Sequence, residues 1–244
     1  MSLIESGMPM AEIAEVAKEK GKSFCSGACC VNASGRGRME NVQGVRANLT
    51  RWFFEDRGSF VSHMVEDAGK MLLSAQKRGI ELVARPNTNS DEPWETIAPD
   101  LFLVPGFSAY DYTKLSKRLG KTPANYHLTY SVSDATSEKD WQNVHNSGSN
   151  IAVVFDVEWQ PNGSESARKY GVFPADWTDP TGYRWPVIDG DAYDARVLDP
   201  KKVCVGLRLK GGIDGRELAR CSGFADCRFS GGLSVSMHPS LTIL

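Results

Sequence analysis

Residues 126–155 read YHLTYSVSDATSEKDWQNVHNSGSNIAVVF. The runs Tyr126–Ser131 and Ile151–Phe155, rich in aromatic and β-branched residues, read as two strands. Between them Ser137–Asn146 has a helical pattern, and it opens with Ser137 and Asp140 at capping-box spacing. Antiparallel neighbours need only a short turn, whereas parallel strands need a crossover, so strand, helix and strand in this order predict a parallel pair. Further strands are expected at Ile80–Ala84, Phe107–Tyr112 and Val203–Leu209, with another helix at Tyr112–Leu119. The expected fold class is α/β: a mainly parallel sheet with alternating helices, open or curled into a partial or distorted (β/α) barrel.

Upstream of the strands the period changes to that of helices. Met10, Ile13, Ala14 and Ala17 mark a short helix within 10–20. Val42, Val45, Leu49, Trp52 and Phe53 form one face of a second, and Phe60, Val61, Met64, Val65, Ala68 and Leu72 continue through a third, with Gly58 and Gly79 as punctuation. From residue 160 to 199 the pattern lapses into Pro, Gly, Trp and Asp, which reads as a long surface excursion from a single domain spanning 1–244. The tryptophans from Trp159 to Trp185 either pack inside or form an interface.

The chain has 244 residues, 41% hydrophobic and 24% charged, which is ordinary globular usage and excludes a disordered, collagenous or coiled-coil protein. With 28 basic and 30 acidic side chains the net charge is -2, so no overall cationic field holds nucleic acid and any such contact uses a local patch. The apolar stretches are too short to span a bilayer, and Met1 to Lys22 lacks the core of a signal peptide, so a cytoplasmic protein without membrane contact is expected. In that compartment the six cysteines read as thiols or metal ligands.

Four constellations carry chemistry. Cys25, Cys29 and Cys30 in one loop suit an iron-sulfur cluster or zinc, or else are small buried thiols; Cys221 and Cys227 supply a fourth ligand only if the C-terminal segment folds back. Ser34-Gly35-Arg36-Gly37-Arg38 precedes a helix, where glycines admit an anion and Arg36 and Arg38 fork onto phosphate; the alternative is a plain Gly-Arg connector. Third, polar residues follow or end the strands: Asn87, Asn89, Ser90 and Asp91, then Asp111 and Lys114, then Thr129, Ser131, Ser133 and Asp134. Parallel strands open their C-termini onto one rim, so these residues either converge on a site or cap the following helices, the reading favoured for Asp134. Asp91, and Asp111 with Lys114, suit proton transfer or nucleophilic work. Fourth, Asp189-Gly190-Asp191 after two β-branched residues either offers carboxylates to a cation or a ribose, or makes a hairpin turn. The scattered histidines lack metalloprotease spacing, with His127 read as a core residue or one facing a barrel interior. No Gly-x-Ser-x-Gly elbow is present.

The run Cys30-Val31-Asn32-Ala33-Ser34-Gly35-Arg36-Gly37, with Arg51 to Asp56, Asn87 to Asp91, Trp94-Glu95, Tyr110 to Lys114, Asn125 to Thr129, Val187 to Asp191 and Val205 to Leu207, resembles a tailed-bacteriophage protein family over nearly the whole chain. It is also distantly similar to the phage gene-product-eighty-eight family. A cysteine loop, a helix and a strand ending in small polar residues are similar to radical S-adenosylmethionine barrels. That resemblance implies an iron-sulfur cluster at Cys25, Cys29 and Cys30, with Asn89 to Asp91 near the methionyl amine of S-adenosylmethionine. The cysteine spacing departs from that family's, with Asn32 where its last cysteine falls, so zinc or a metal-free site stays open.

The expected function is a phage-encoded enzyme that modifies a nucleotide or a base in nucleic acid. Its rim would comprise Asp91, Asp111, Lys114 and Asp189, with Arg36, Arg38, Asn87, Asn89, Ser90, Ser131 and Asp191 binding substrate. One alternative is a metal-free, carboxylate-dependent base-exchange or glycosidic-bond enzyme. The other is a non-catalytic module that binds a host protein or nucleic acid.

Overall fold

Helix α1 (Glu40–Glu55) stops where Asp56 leaves helical geometry, and the Asp56 side chain accepts the Ser59 N–H at 3.1 Å to open helix α2 (Arg57–Lys77). The break is therefore at Asp56, and Gly58, expected as punctuation, lies in the first turn of α2. The computed structural model describes residues 39–87, 90–157, 172–209, 219–220 and 224–226. The helix expected within 10–20 lies outside them. Phe53 packs edge-on against Phe60 at 5.4 Å and Trp94 at 5.7 Å, fixing the C-terminal end of α1. Val45 and Leu49, expected on the buried face of α1, are exposed.

After α2 come β1 (Val83–Ala84), α3 (Trp94–Ile97), β2 (Ser108–Thr113), β3 (Tyr126–Ser131), α4 (Glu138–Ser147), β4 (Asn150–Phe155), β5 (Asp176–Thr178), β6 (Arg184–Asp189), β7 (Cys204–Arg208) and β8 (Ala225–Asp226). The strands form one open sheet in the order β1-β2-β3-β4-β7-β6-β5. Every pairing is parallel except β5 with β6. β3 pairs with Asn150 to Ala152 of β4, and β8 takes Val154 and Phe155. The expected class, α/β with a mainly parallel sheet that does not close, is what the chain adopts.

The central strands are buried along most of their length, as parallel strands covered on both faces must be. In α4 the capping box is complete: Asp140 N donates to Ser137 Oγ at 3.3 Å, and Ser137 N donates to Asp140 Oδ2 at 2.9 Å. The cap is Ser137 and not Asp134, and Gly148 ends the helix at φ 65°.

Two expected elements differ. No helix spans Tyr112–Leu119: β2 runs through Thr113, and a single 3₁₀ turn follows at Ser116–Arg118. Thr113 Oγ1 takes the Leu115 N–H at 3.0 Å, the first amide that a helix from Tyr112 would use, and Asp91 takes the neighbouring Lys114 N–H at 2.6 Å, so side chains hold this segment in a turn. The excursion at 160–199 in turn contains β5 and β6, which extend the sheet. Trp177 and Trp185 pair in register and are buried, with their indole N–H groups donating to Asp226 at 2.7 Å and Asp179 at 2.9 Å.

Candidate functional site

Because β1, β2, β3, β4, β6, β7 and β8 are mutually parallel, their C-terminal ends share one rim. Asp91 follows β1 and Lys114 follows β2. Ser131 ends β3, Asp156 follows β4, Arg208 ends β7, Asp189 ends β6 and Asp226 ends β8.

Just inside the rim lies a closed polar knot. Asn87 is 2% exposed; its Oδ1 accepts from Ser90 Oγ at 2.7 Å, Trp94 Nε1 at 2.9 Å and Glu92 N at 3.0 Å. Its Nδ2 donates to Glu92 O at 2.9 Å and Asp111 Oδ2 at 3.0 Å. Asp111, fully buried within β2, also accepts from Tyr126 Oη at 2.6 Å and Asn87 N at 2.9 Å. Burial pushes the Asp111 carboxyl up, against the donors from Tyr126 and Asn87 that favour its charge, and burial likewise raises Tyr126. Asp111 is thus a tie between β1, β2 and β3, lying inside the sheet and not on its rim.

The next layer outward is ionic. Arg118, 5% exposed, reaches Asp91 at 2.6 Å and Glu95 at 2.8 Å, and its Nε also donates to Glu95 at 2.9 Å. Burial works against the guanidinium charge, but hydrogen bonds to Glu95 and Tyr126 outweigh it and raise the pKa. Asp91 also accepts from Thr113 Oγ1 at 2.7 Å. Lys114 turns away from this pair: its Nζ donates to Ser131 O at 3.2 Å and Ser131 Oγ at 3.3 Å, and lies 5.4 Å from the Phe224 ring. Among the described residues Lys114 has no carboxylate ion partner.

A second group sits farther along. Arg208 forks onto Asp189 at 2.8 and 2.9 Å, meets Asp191 at 3.2 Å and lies 4.2 Å over Phe173. Gly190 packs so closely that a Cβ there meets Val205 Cγ1 at 2.5 Å and the Gly206 carbonyl at 2.9 Å. Asp189 and Asp191 therefore flank a buried backbone contact with β7, and Asp191 also accepts the Arg208 N–H at 3.0 Å. At β4, Arg220 forks onto Asp156 at 2.6 and 2.8 Å.

Of the residues expected at the site, the fold brings Asp91, Lys114 and Ser131 together at β1 to β3, with Asn87, Ser90 and Asp111 behind them. Asp189 and Asp191 share the rim but not this group: β4 and β7 lie between β3 and β6, three strand spacings or roughly 14 Å. Cys25, Cys29, Cys30, Arg36, Arg38 and Asn89 lie outside the described residues. Among the described residues no group of three or more His, Cys, Asp or Glu is placed to hold a metal. His127, expected to face a core or barrel interior, is exposed on β3.

The sequence matches the family described as gene product 88 over residues 17–230. The chain belongs to the gene product 88 family. Comparison with curated proteins and with solved structures gives no match. The family match takes in the cysteine segment and the Gly-Arg segment together with the eight described strands. No described helix in this gene product 88 chain is long and apolar enough to cross a membrane.

Sequence reasoning did not find Arg118, Glu95, Tyr126 or Arg220. Arg118 lies in the segment whose pattern predicts a helix, and its partners are 27 and 23 residues away. The available signal was a lone arginine beside apolar Leu115 and Leu119, which a buried carboxylate partner explains.

Proposed function

We propose that this gene product 88 family member is an enzyme that modifies a nucleotide or a base in nucleic acid at the carboxyl rim between β1 and β3. One observation supports this above others: the Lys114 ammonium stands between Ser131 and the Phe224 ring, without a carboxylate partner among the described residues. An ammonium and a hydroxyl suit a phosphate, and the adjacent ring face suits a base. Asp91 is the rim carboxylate nearest in sequence and bonding to this group, through the Lys114 N–H. In this reading Asp91 is the general base, Lys114 the electrostatic partner, and Arg118 the cation that orients Asp91. The cysteine loop at Cys25, Cys29 and Cys30 would hold any iron-sulfur cluster or zinc, and Arg36 and Arg38 would add phosphate contacts.

Titration with adenosine monophosphate and with a short single-stranded oligonucleotide tests binding, and mass spectrometry of both after incubation tests turnover. A charge-assisted hydrogen bond contributes about 1.5–3 kcal/mol, so Lys114→Ala should weaken binding by roughly 10- to 100-fold. Asp91→Asn should abolish turnover while binding survives. Affinity unchanged in Lys114→Ala, or no binding by the intact protein, defeats the reading. Metal analysis of anaerobically prepared protein addresses the cysteine loop separately.

A further inference from the structure

We infer a second ligand site at the opposite, amino-terminal end of the sheet, a pocket that takes an aromatic ring carrying a phosphate. It is a cavity of about 450 Å³, walled by His145, Gly148, Thr181, Tyr183, Trp185 and Lys202. The pocket is open to solvent on one side, and its volume lies in the range of small-molecule sites.

The walls come from three separate connections: the C-terminus of α4, the β5–β6 turn and the approach to β7. His145 is stacked near Trp185 at 5.7 Å and lies 5.1 Å from Tyr183, so two rings and the imidazole form one aromatic wall. The imidazole is fixed in place. Its Nε2 meets Asp179 Oδ2 and Thr181 Oγ1, both at 3.1 Å. Asp179 has no exposed side-chain surface and accepts in addition from Thr181 N, Thr181 Oγ1, Tyr183 N and Trp185 Nε1. The acid is thus spent internally, as a second-layer clamp. What the pocket offers an incoming anion is the Lys202 ammonium, since the Thr181 hydroxyl already gives its one hydrogen to Asp179, and what it offers a planar ring is the exposed Tyr183.

An independent observation concerns Lys202. Among the described residues it is the non-glycine residue with positive φ, at 58°. Glycine adopts that conformation without strain, whereas a lysine does not, and side chains held in strained backbone cluster at ligand sites. The strain places the lysine stem beside Gly148, where Cε lies 3.6 Å from the position a Cβ would occupy, at the pocket wall.

The two sources of this ligand chemistry are a free nucleotide and a nucleotide within a single strand. The test follows the His145 ring signals by NMR, assigned through His145→Gln, while adenosine monophosphate or a ten-residue oligothymidylate is added. The His145 signals should shift with adenosine monophosphate and do so equally in Lys114→Ala, which separates this site from the rim. Lys202→Gly should raise the melting temperature by relieving strain yet weaken this binding about tenfold. A shift with the oligonucleotide alone assigns the site to single strands. No shift with either probe, or undiminished binding in Lys202→Gly, overturns the inference. So does a fall in stability for that variant, because the lysine would then serve the helix terminus.

Discussion

Replacing Arg118 with methionine keeps an unbranched stem, but it shortens the side chain and removes the guanidinium with its charge. The guanidinium is 5% exposed and bridges Asp91 and Glu95, whose side chains are 28% and 13% exposed, so the variant strands two carboxylates against an apolar stem. Removing one partner of a buried ion pair costs about 3–5 kcal/mol. Water reaches Asp91 more than it reaches Glu95, which favours the lower end, about 3 kcal/mol. For a chain of this size each kcal/mol moves the melting temperature by about 2–4 °C, so a fall of roughly 6–12 °C is expected. Urea denaturation measures the free energy directly, and the triple variant Arg118→Met, Asp91→Asn, Glu95→Gln should recover at least half of the loss because no uncompensated charge remains. A loss below about 1 kcal/mol in the single variant would mean that the triad is solvated like a surface pair, and the argument would fail.

Gly190→Ala drives a methyl into Val205 and the Gly206 carbonyl and should destabilise by about 1–3 kcal/mol, measured by urea titration. Ser137→Ala removes the α4 cap and should cost about 1 kcal/mol, read from the same titration. Asp179 has its pKa lowered in the fold: burial pushes it up, but the donors from Thr181, Trp185 and Tyr183 prevail. Its contribution to stability is therefore present above the ordinary carboxylate pKa and is lost as pH falls through the depressed folded value, so urea midpoints should drop in acid and Asp179→Asn should flatten that limb. Asp111 has the opposite sign: burial raises its pKa, so its linkage term favours the fold at low pH and is lost as pH rises through the folded value. Asp111→Asn should accordingly remove a loss of stability between acid and neutral pH, read from the same titration.

The boundaries of β3 were legible as Tyr126–Ser131 because aromatic and β-branched residues end abruptly at polar ones, and the α4 cap was legible because Ser137 and Asp140 interact locally. The carboxyl rim followed from strand polarity alone. What sequence could not show was which polar residues at that rim are already spent. Asn87 and Asp111 have the composition of a site, yet both are saturated by partners 3 to 39 residues away, and only tertiary packing makes the distant pairs, such as those with Tyr126. The β5–β6 hairpin was hidden for another reason: Pro, Gly and Asp dominate its composition, while its stability comes from two indoles paired across strands and anchored by distant acids.

The rim's electrostatics give Lys114 its place in the functional argument. Arg118, Arg208 and Arg220 each carry at least one close carboxylate, so an incoming phosphate at any of them must displace a formed, partly desolvated ion pair. At Lys114, among the described residues, it need only replace the two hydrogen bonds that Nζ donates to Ser131, neither of them to a carboxylate. The proposed anion site is accordingly the β2–β3 end of the rim, even though the arginines carry the same formal charge. The acids nearby serve a complementary purpose. Asp91 is held by Thr113, Arg118 and the Lys114 backbone, which fixes the loop that carries the ammonium without pairing with it. An Asp91→Asn variant should thus retain anion affinity, whereas Ser131→Ala should lower it only slightly, since the Ser131 carbonyl remains as an anchor for Nζ. Titration with inorganic phosphate at two salt concentrations would read both effects, and a loss in Asp91→Asn as large as that in Lys114→Ala would show that the carboxylate governs the site through more than position.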